Sequence, residues 1–281
     1  MRKQISLLVL ATMIWGFGFI AVKWTILSMS PTWANTLRYG LAASFSLPYL
    51  LWRGTFRRGL AYIWPPAFAA LLLFLGMQTQ NVGLAYTSVA KSGFFTTFYV
   101  FFVPLFGILI LRKKYTLRFW ALLTLALFGV ALLCEMKLNG FNRGDFYTIL
   151  CAICFAMHIL FIGKITKTYS SAFELNALQC VFGFIFGLIL ALAAEPVPSF
   201  NFLLISWVGL LFLGTFSSLL AFTIQNYAQK SITPHVAGMI FLLESPFAAI
   251  FGFFILNEQM NLQQIGGSLC ILLAVSLIQK S

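Results

Sequence analysis

Along the chain, long apolar runs alternate with short clusters of charge, proline and glycine. Ten runs stand at roughly 5–27, 33–52, 62–84, 88–111, 117–134, 146–163, 172–193, 202–228, 234–256 and 262–279. Each is close to the about 20 residues that a helix needs to cross a bilayer. Breaks such as Arg53–Arg58, Arg112–Lys114 and Glu195-Pro196-Val197-Pro198 separate them. Barrel strands would be about 10 residues long with alternating polarity. Backbone amides in hydrocarbon must be bonded within their own segment, so these longer runs predict helices. The first run opens with Met1-Arg2-Lys3 and continues to Lys23 without a small-residue cleavage pattern. It therefore reads as an uncleaved first helix and not as a signal peptide. The expected fold is an all-α integral membrane protein with ten transmembrane helices.

Composition agrees. Hydrophobic residues make up 61% of the 281 and charged ones 9%, against about 45–50% and about 25% in soluble domains. That excludes a soluble enzyme. The net charge of +12 could suggest a nucleic-acid partner, but its placement gives another explanation. With a cytoplasmic N-terminus, Arg2, Lys3, Arg53, Arg57, Arg58, Arg112, Lys113, Lys114, Arg118, Lys164, Lys167, Lys230 and Lys280 fall at cytoplasmic ends. Outside lie Lys137 and Arg143, with Lys23, Arg38 and Lys91 in or bordering spans. This positive-inside bias predicts N-in, C-in topology in the cytoplasmic (inner) membrane, with the lipid bilayer and not nucleic acid as partner.

The chain also repeats itself. At an offset of 145 residues, Gln80-Asn81 meets Gln225-Asn226, Gly93 meets Gly238, Leu111 meets Leu256 and Leu117 meets Leu262. At 141, Ala11 meets Ala152, Lys23 meets Lys164, Asn35 meets Asn176 and Leu37 meets Leu178. The expected units are 1–138 and 139–281, five helices each. An odd number of spans per unit turns the second upside down, the inverted-repeat plan of many secondary transporters. Two such units can open a central site first to one side and then to the other.

These features meet in a family pattern. Trp15-Gly16 and Lys23 in the first helix, Leu37-Arg38 early in the second, and Glu244-Ser245-Pro246 through Glu258 around the ninth resemble the drug/metabolite transporter superfamily. The similarity is to its EamA-type bacterial members and covers essentially the whole chain. Ser245 departs from the many members that place the acid directly before the proline, and the first unit has Tyr99 where the second has Glu244. The resemblance implies a cytoplasmic-membrane carrier of small organic molecules, commonly an exporter of amino acids or related metabolites. It also implies a cavity lined by helices one, three, four, six, eight and nine, with the fifth and tenth peripheral.

An ionisable group at bilayer depth costs at least about 2.5–3.5 kcal/mol, so it needs a partner, an aqueous cavity or a neutral state. Glu244 is the one acid deep in a span. It can take up and release a proton as a cavity changes side, or it can bond a neighbouring helix. His158, deep in the sixth span, is a proton relay or a packed hydrogen-bonding group. Of the repeated amides, Gln78 and Gln225 are cavity candidates, while Asn81 and Asn226 suit bridging between helices. Lys91 and Arg38, near the outer face, can attract an anionic substrate or snorkel to the interface. Trp15 and Tyr99 lie mid-span, on helices that the resemblance places around the cavity, where a ring can stack on a ligand or pack the core. Gly93 and Pro104 in helix four, with Gly238 and Pro246 in helix nine, interrupt corresponding spans and are the candidate gates.

Five cysteines lie in or beside apolar spans; Cys151 and Cys154 suit small hydrophobes better than a metal pair, since no second ligand pair accompanies them. No metal and no cofactor are expected. The leading function is secondary active transport of a small-molecule substrate, export of amino-acid-like metabolites, with Glu244 and His158 in coupling and Trp15, Gln78, Tyr99, His158, Gln225 and Glu244 around the substrate. The alternative is an importer or exchanger of a larger metabolite, nucleotide-type or a cationic drug. An intramembrane enzyme is less favoured because the six acids are scattered, with no pair to hold a metal. A phosphate-binding loop is also missing from the sequence. Either a monomer or a homodimer is compatible with the chain.

Overall fold

The computed structural model describes residues 2–84, 86–87, 89–135 and 140–278. Lys137, Lys280 and the expected boundary between 138 and 139 lie outside the described residues. Among those described, every regular element is helical. In chain order these are α1 (Arg2–Thr25), α2 (Pro31–Trp52), a short 3-10 turn (Thr55–Arg58), α3 (Leu60–Leu84), α4 (Val89–Thr96), α5 (Tyr99–Leu111), α6 (Leu117–Leu133) and α7 (Arg143–Ile165). They continue as α8 (Ala172–Ala194), α9 (Leu204–Phe212), a π-helical stretch (Leu213–Ala221), α10 (Phe222–Ala228), α11 (Pro234–Phe241), α12 (Glu244–Leu256) and α13 (Leu262–Ile278). Seven helical segments are long and apolar enough to cross a membrane, with α4 and α5 counting as one, α9 to α10 as another and α11 with α12 as a third. The apolar α6 and α13 are shorter, at 17 residues each.

The helix starts have local causes. The Ser30, Thr116 and Ser171 hydroxyls accept from the third backbone N–H beyond them, and Asn142 forms a capping box with Asp145. Lengths recur along the chain. α4 and α11 have 8 residues each, α5 and α12 have 13, and α6 and α13 have 17, every start displaced by 145. α5 and α12 even end alike, on Arg112 and Asn257 in the left-handed region at φ 51° and 53°.

Packing recurs as well. α2 lies along α8 and α6 along α13, while α3 packs on α7 as the α9–α10 segment packs on α1. α7 is also touched by α4 and α5, just as α1 is touched by α11 and α12. Where α6 crosses α13, two glycines let the backbones meet. A Cβ on Gly129 would stand 2.7 Å from the Gly267 carbonyl oxygen, and one on Gly267 2.5 Å from that of Gly129.

The ends of the bundle differ in charge. At one end Arg58 Nη1 pairs with Glu174 at 3.4 Å, and Lys230 Nζ donates to the Tyr169 and Ser170 carbonyls at 2.8 and 2.9 Å. Tyr169, in the connection between α7 and α8, donates to the Tyr62 carbonyl. Burial pushes its hydroxyl above the ordinary phenol range, which keeps that donor protonated. The other end gathers four of the six acids: Glu195 with Ser30, Glu135 with Asn261, Glu258 with Lys23 and Asp145 with Lys91. The last two pairs differ in depth. Lys23 and Glu258 are 57% and 54% exposed, whereas Lys91 and Asp145 are 11% and 0% exposed at 2.5 Å. Asp145 also accepts from Thr87 at 2.5 Å and from the Asn142 backbone at 3.0 Å. Lys91 is therefore tied to a carboxylate at this end of the bundle. Asp145→Ala is expected to cost about 3–5 kcal/mol, the penalty for removing one partner of a buried pair. Glu258→Gln should stay within about 1 kcal/mol. Thermal unfolding of the two variants in detergent makes the comparison.

Candidate functional site

Between the two ends lies a set of polar groups centred on the π-helical stretch. A π turn widens the hydrogen-bond ladder and leaves carbonyls for other donors. Here side chains from α1 and α8 supply them, and one from α2 bonds hydroxyls of the same stretch. Trp15 Nε1 of α1 donates to the Ser217 carbonyl at 3.3 Å. From α8, Asn176 Nδ2 donates to the carbonyls of Ser218 and Leu219 at 3.0 and 2.9 Å. From α2, Arg38 reaches the hydroxyls of the same residues, Nε to Ser218 Oγ and Nη2 to Ser217 Oγ, both at 2.9 Å. Gly214 makes room for α2, since a Cβ there would lie 2.7 Å from Leu41 Cδ2.

Arg38 is 6% exposed, with its guanidinium carbon 5.8 Å from the Tyr39 ring centroid. It is packed inside the bundle, which corrects the expectation that it could snorkel. Its Nη1 makes no hydrogen bond among the described residues, and the guanidinium has no carboxylate in ion-pair contact.

Glu244 is the first residue of α12, at the positive end of that helix's dipole. The chain breaks at Leu242–Leu243, and Pro246 explains the break: without an N–H it cannot bond the Leu242 carbonyl four residues back. α1 crosses at this point. A Cβ on Gly16 would stand 2.7 Å from Phe247 Cβ, 3.0 Å from the Ala248 nitrogen and 3.1 Å from the Glu244 carbonyl oxygen. Glu244 is thus held by close backbone approach, while its carboxyl makes no hydrogen bond among the described residues. Tyr99, the first residue of α5, holds the matching place in the first unit, 145 residues before Glu244.

The scan against family models matches the EamA-like transporter family twice, over residues 2–134 and 142–279. The chain belongs to the EamA-like transporter family. A relative from Archaeoglobus fulgidus, described as an uncharacterized transporter, is 31% identical over 274 residues, covering 96% of this chain and 84% of its own length. The uncharacterized transporters YoaV and YcxC of Bacillus subtilis are 23% and 25% identical, covering 96% and 95% of this chain and 94% and 89% of their own. One solved crystal structure superposes with a TM-score of 0.84 at 14% identity, over 99% of this chain and 97% of its own, a likeness of fold. Family and helices together make the protein a multi-pass membrane transporter of the drug/metabolite type.

In this EamA-like chain the expected site residues do not all meet. Trp15 joins Phe222 and Phe241, ring centroids 5.0 and 5.3 Å away, in an aromatic wall beside the π stretch. His158 is 2% exposed, its Nε2 2.9 Å from Gln179 Oε1 and its ring edge-on to Phe222 at 6.2 Å. Gln179 Nε2 and Gln78 Nε2 are buried without partners. Gln225 instead donates to Gln229 at 2.9 Å, and Gln229 to the Ile159 carbonyl of α7 at 3.0 Å. That chain of amides bonds α10 to α7, while Gln78 Nε2 has no hydrogen-bond partner among the described residues.

The candidate gates are also unequal. Gly93 and Gly238 are 145 residues apart, one on each short helix, but Pro104 matches Ala249 and not Pro246. The break between α4 and α5 falls at Thr97–Phe98, where Thr97 Oγ1 donates to the Phe94 carbonyl at 2.7 Å. Pro104 would leave the Val100 carbonyl unbonded, beyond that break, so it is not its cause. Sequence reasoning missed Ser217, Ser218, Asn176 and Gln179. Asn176 did carry a signal, its match with Asn35 at offset 141.

Some contacts have no comparable counterpart in the other unit. α5 packs on α11, and α11 on α7, yet among the described residues α12 makes no comparable contact with α4, nor α4 with α1. The basic end, where α5 finishes and α11 begins, is joined across the units. There the Tyr115 ring meets His235 edge-on at 4.9 Å.

Proposed function

We propose that the chain is a secondary active transporter of ten spans, two inverted five-helix units over 1–138 and 139–281, with both termini in the cytoplasm of a cell whose inner membrane it occupies. It exports small organic metabolites such as amino acids by alternating access, with Glu244 as proton site and His158 as a second coupling group. The observation that carries this reading is the packing of the two units, alike in the pairs α2–α8 and α6–α13 and in the pairing of α3 and α5 on α7 with that of α9–α10 and α12 on α1. By contrast, α5 packs on α11 with no comparable contact of α12 on α4 among the described residues. Exchange of that one contact for its counterpart, α12 on α4, closes the acidic end and opens the basic one without disturbing the shared pairs. Two packings of equivalent helices differ little in free energy, as a carrier that must visit both requires. An unpartnered carboxyl at the centre supports the coupling role, since such a group in a span is functional by default.

The test is transport in proteoliposomes, with labelled amino acids, nucleosides and cationic drugs, with and without a pH gradient. Saturable counterflow for a member of the panel is the expected result. Flux that rises without saturation would make the protein a channel and overturn the reading.

A further inference from the structure

Arg38 is a cation held inside the bundle by two serines, and its environment is one-sided. We propose that it is the residue that receives the carboxylate of the transported solute; this deepens the carrier reading above and rests on it. Three observations carry the assignment. Nε and Nη2 are engaged by Ser218 and Ser217 at 2.9 Å, which fixes the plane of the guanidinium and leaves Nη1 unpartnered on a residue 6% exposed. A buried guanidinium with free donors is suited to a carboxylate, which it bonds with directional, charge-assisted hydrogen bonds. Secondly, Glu244 lies where Gly16 of α1, the residue after Trp15, meets α12, and it forms no ion pair with Arg38 among the described residues. Thirdly, Trp15 touches both neighbourhoods: its indole N–H bonds the Ser217 carbonyl at 3.3 Å, and its ring meets Phe222 and Phe241.

Charge balance then fixes the class of solute. Arg38 with ionised Glu244 is neutral as a pair. A solute carrying both a carboxylate and an ammonium keeps the site neutral, its carboxylate on Arg38 and its ammonium toward Glu244. A bare carboxylate would leave an excess negative charge and a bare amine an excess positive one, each costly at low dielectric. The aromatic wall beside the pair accepts an apolar or aromatic remainder.

Three probes that differ by one charged group each test this on the purified full-length chain in detergent: phenylalanine, phenethylamine, which lacks the carboxylate, and 3-phenylpropionate, which lacks the ammonium. Titration calorimetry should show phenylalanine at least about tenfold tighter than phenethylamine, the value of one charge-assisted hydrogen bond. R38Q should bring that ratio close to one, and R38K should leave it intermediate because a point charge replaces the fork. E244Q should keep the preference for the carboxylate while losing the preference of phenylalanine over 3-phenylpropionate. A merely structural role for Arg38 would weaken all three probes together and leave the ratios unmoved; that result overturns the assignment. Should R38Q fail to fold, R38K decides, since an unchanged ratio there overturns it as well. Counterflow separates the two levels of the argument. Saturable flux of other solutes by a protein that binds none of the carboxylate probes removes the Arg38 assignment and leaves the carrier reading standing. No saturable flux for any solute removes both.

Discussion

Glu244→Gln is expected to abolish accumulation driven by a pH gradient while leaving solute exchange intact. Glutamine keeps the volume and most of the hydrogen-bonding capacity of the acid but does not titrate in this range. The position matters because α1, at Gly16, is pressed against the Glu244 carbonyl and fixes where the side chain starts. The carboxyl itself is bonded to nothing among the described residues, so the substitution breaks no contact that holds the bundle together. One coupled proton yields about 1.4 kcal/mol per unit of pH gradient, a factor of about ten in accumulation. The wild-type protein should therefore reach about a tenfold gradient per pH unit for each proton coupled, and the variant about none. Counterflow at equal pH should change little. A variant that accumulates like the wild type would sink the role of Glu244 as proton site.

The second large effect is expected at Gly16. An alanine there places its Cβ 2.7 Å from Phe247 Cβ and 3.0–3.1 Å from two backbone atoms of α12, which cannot rotate away. Helix α1 must then retreat from α12 at the level of Glu244. Overpacking of this kind costs about 1–3 kcal/mol, and Gly16→Val should exceed that. Gly238→Ala is the internal control, since nothing lies within 4 Å of its Cβ. On a helix interior that change should be neutral or stabilising by up to about 1 kcal/mol. Unfolding in detergent, followed by intrinsic tryptophan fluorescence, should place the two variants on opposite sides of the wild type or nearly so. Equal losses in both would contradict the close crossing.

Much of the helical plan was legible in the residues because crossing a membrane leaves a simple signature. The run read as 117–134 became α6 at Leu117–Leu133, and the one read as 234–256 became α11 with α12. Glu244 was legible for a related reason, as a lone acid in hydrocarbon. Arg38 was only half legible: a cation inside a span is visible, but its partners are not. Ser217 and Ser218 become partners because the π-helical stretch turns them toward α2, and an apolar run says nothing about the width of its turns. Gln225 and its repeat mate Gln80 bond differently, to Gln229 and to Thr96. An amide that recurs in both units has equal sequence weight in each, but only the second unit places Gln229 one turn further along to engage it. The break before Tyr99 leaves no proline signal in the sequence, since Pro104 lies too far along the chain to act on Thr97–Phe98.

The breaks divide α4 from α5 and α11 from α12 unequally, into 8 and 13 residues in both units. At 1.5 Å per residue the arms are about 12 and about 20 Å long. A given tilt about either break therefore sweeps the long arm's tip roughly one and a half times as far as the short one's. The long arm α5 ends at the basic end, whereas α12, running the other way, ends at the acidic end among Glu258 and Lys23. On the alternating-access reading proposed above, each mouth would carry one long leaf and one short leaf, a double door whose leaves come from different units and whose wider swing belongs to a different unit at each end of the bundle.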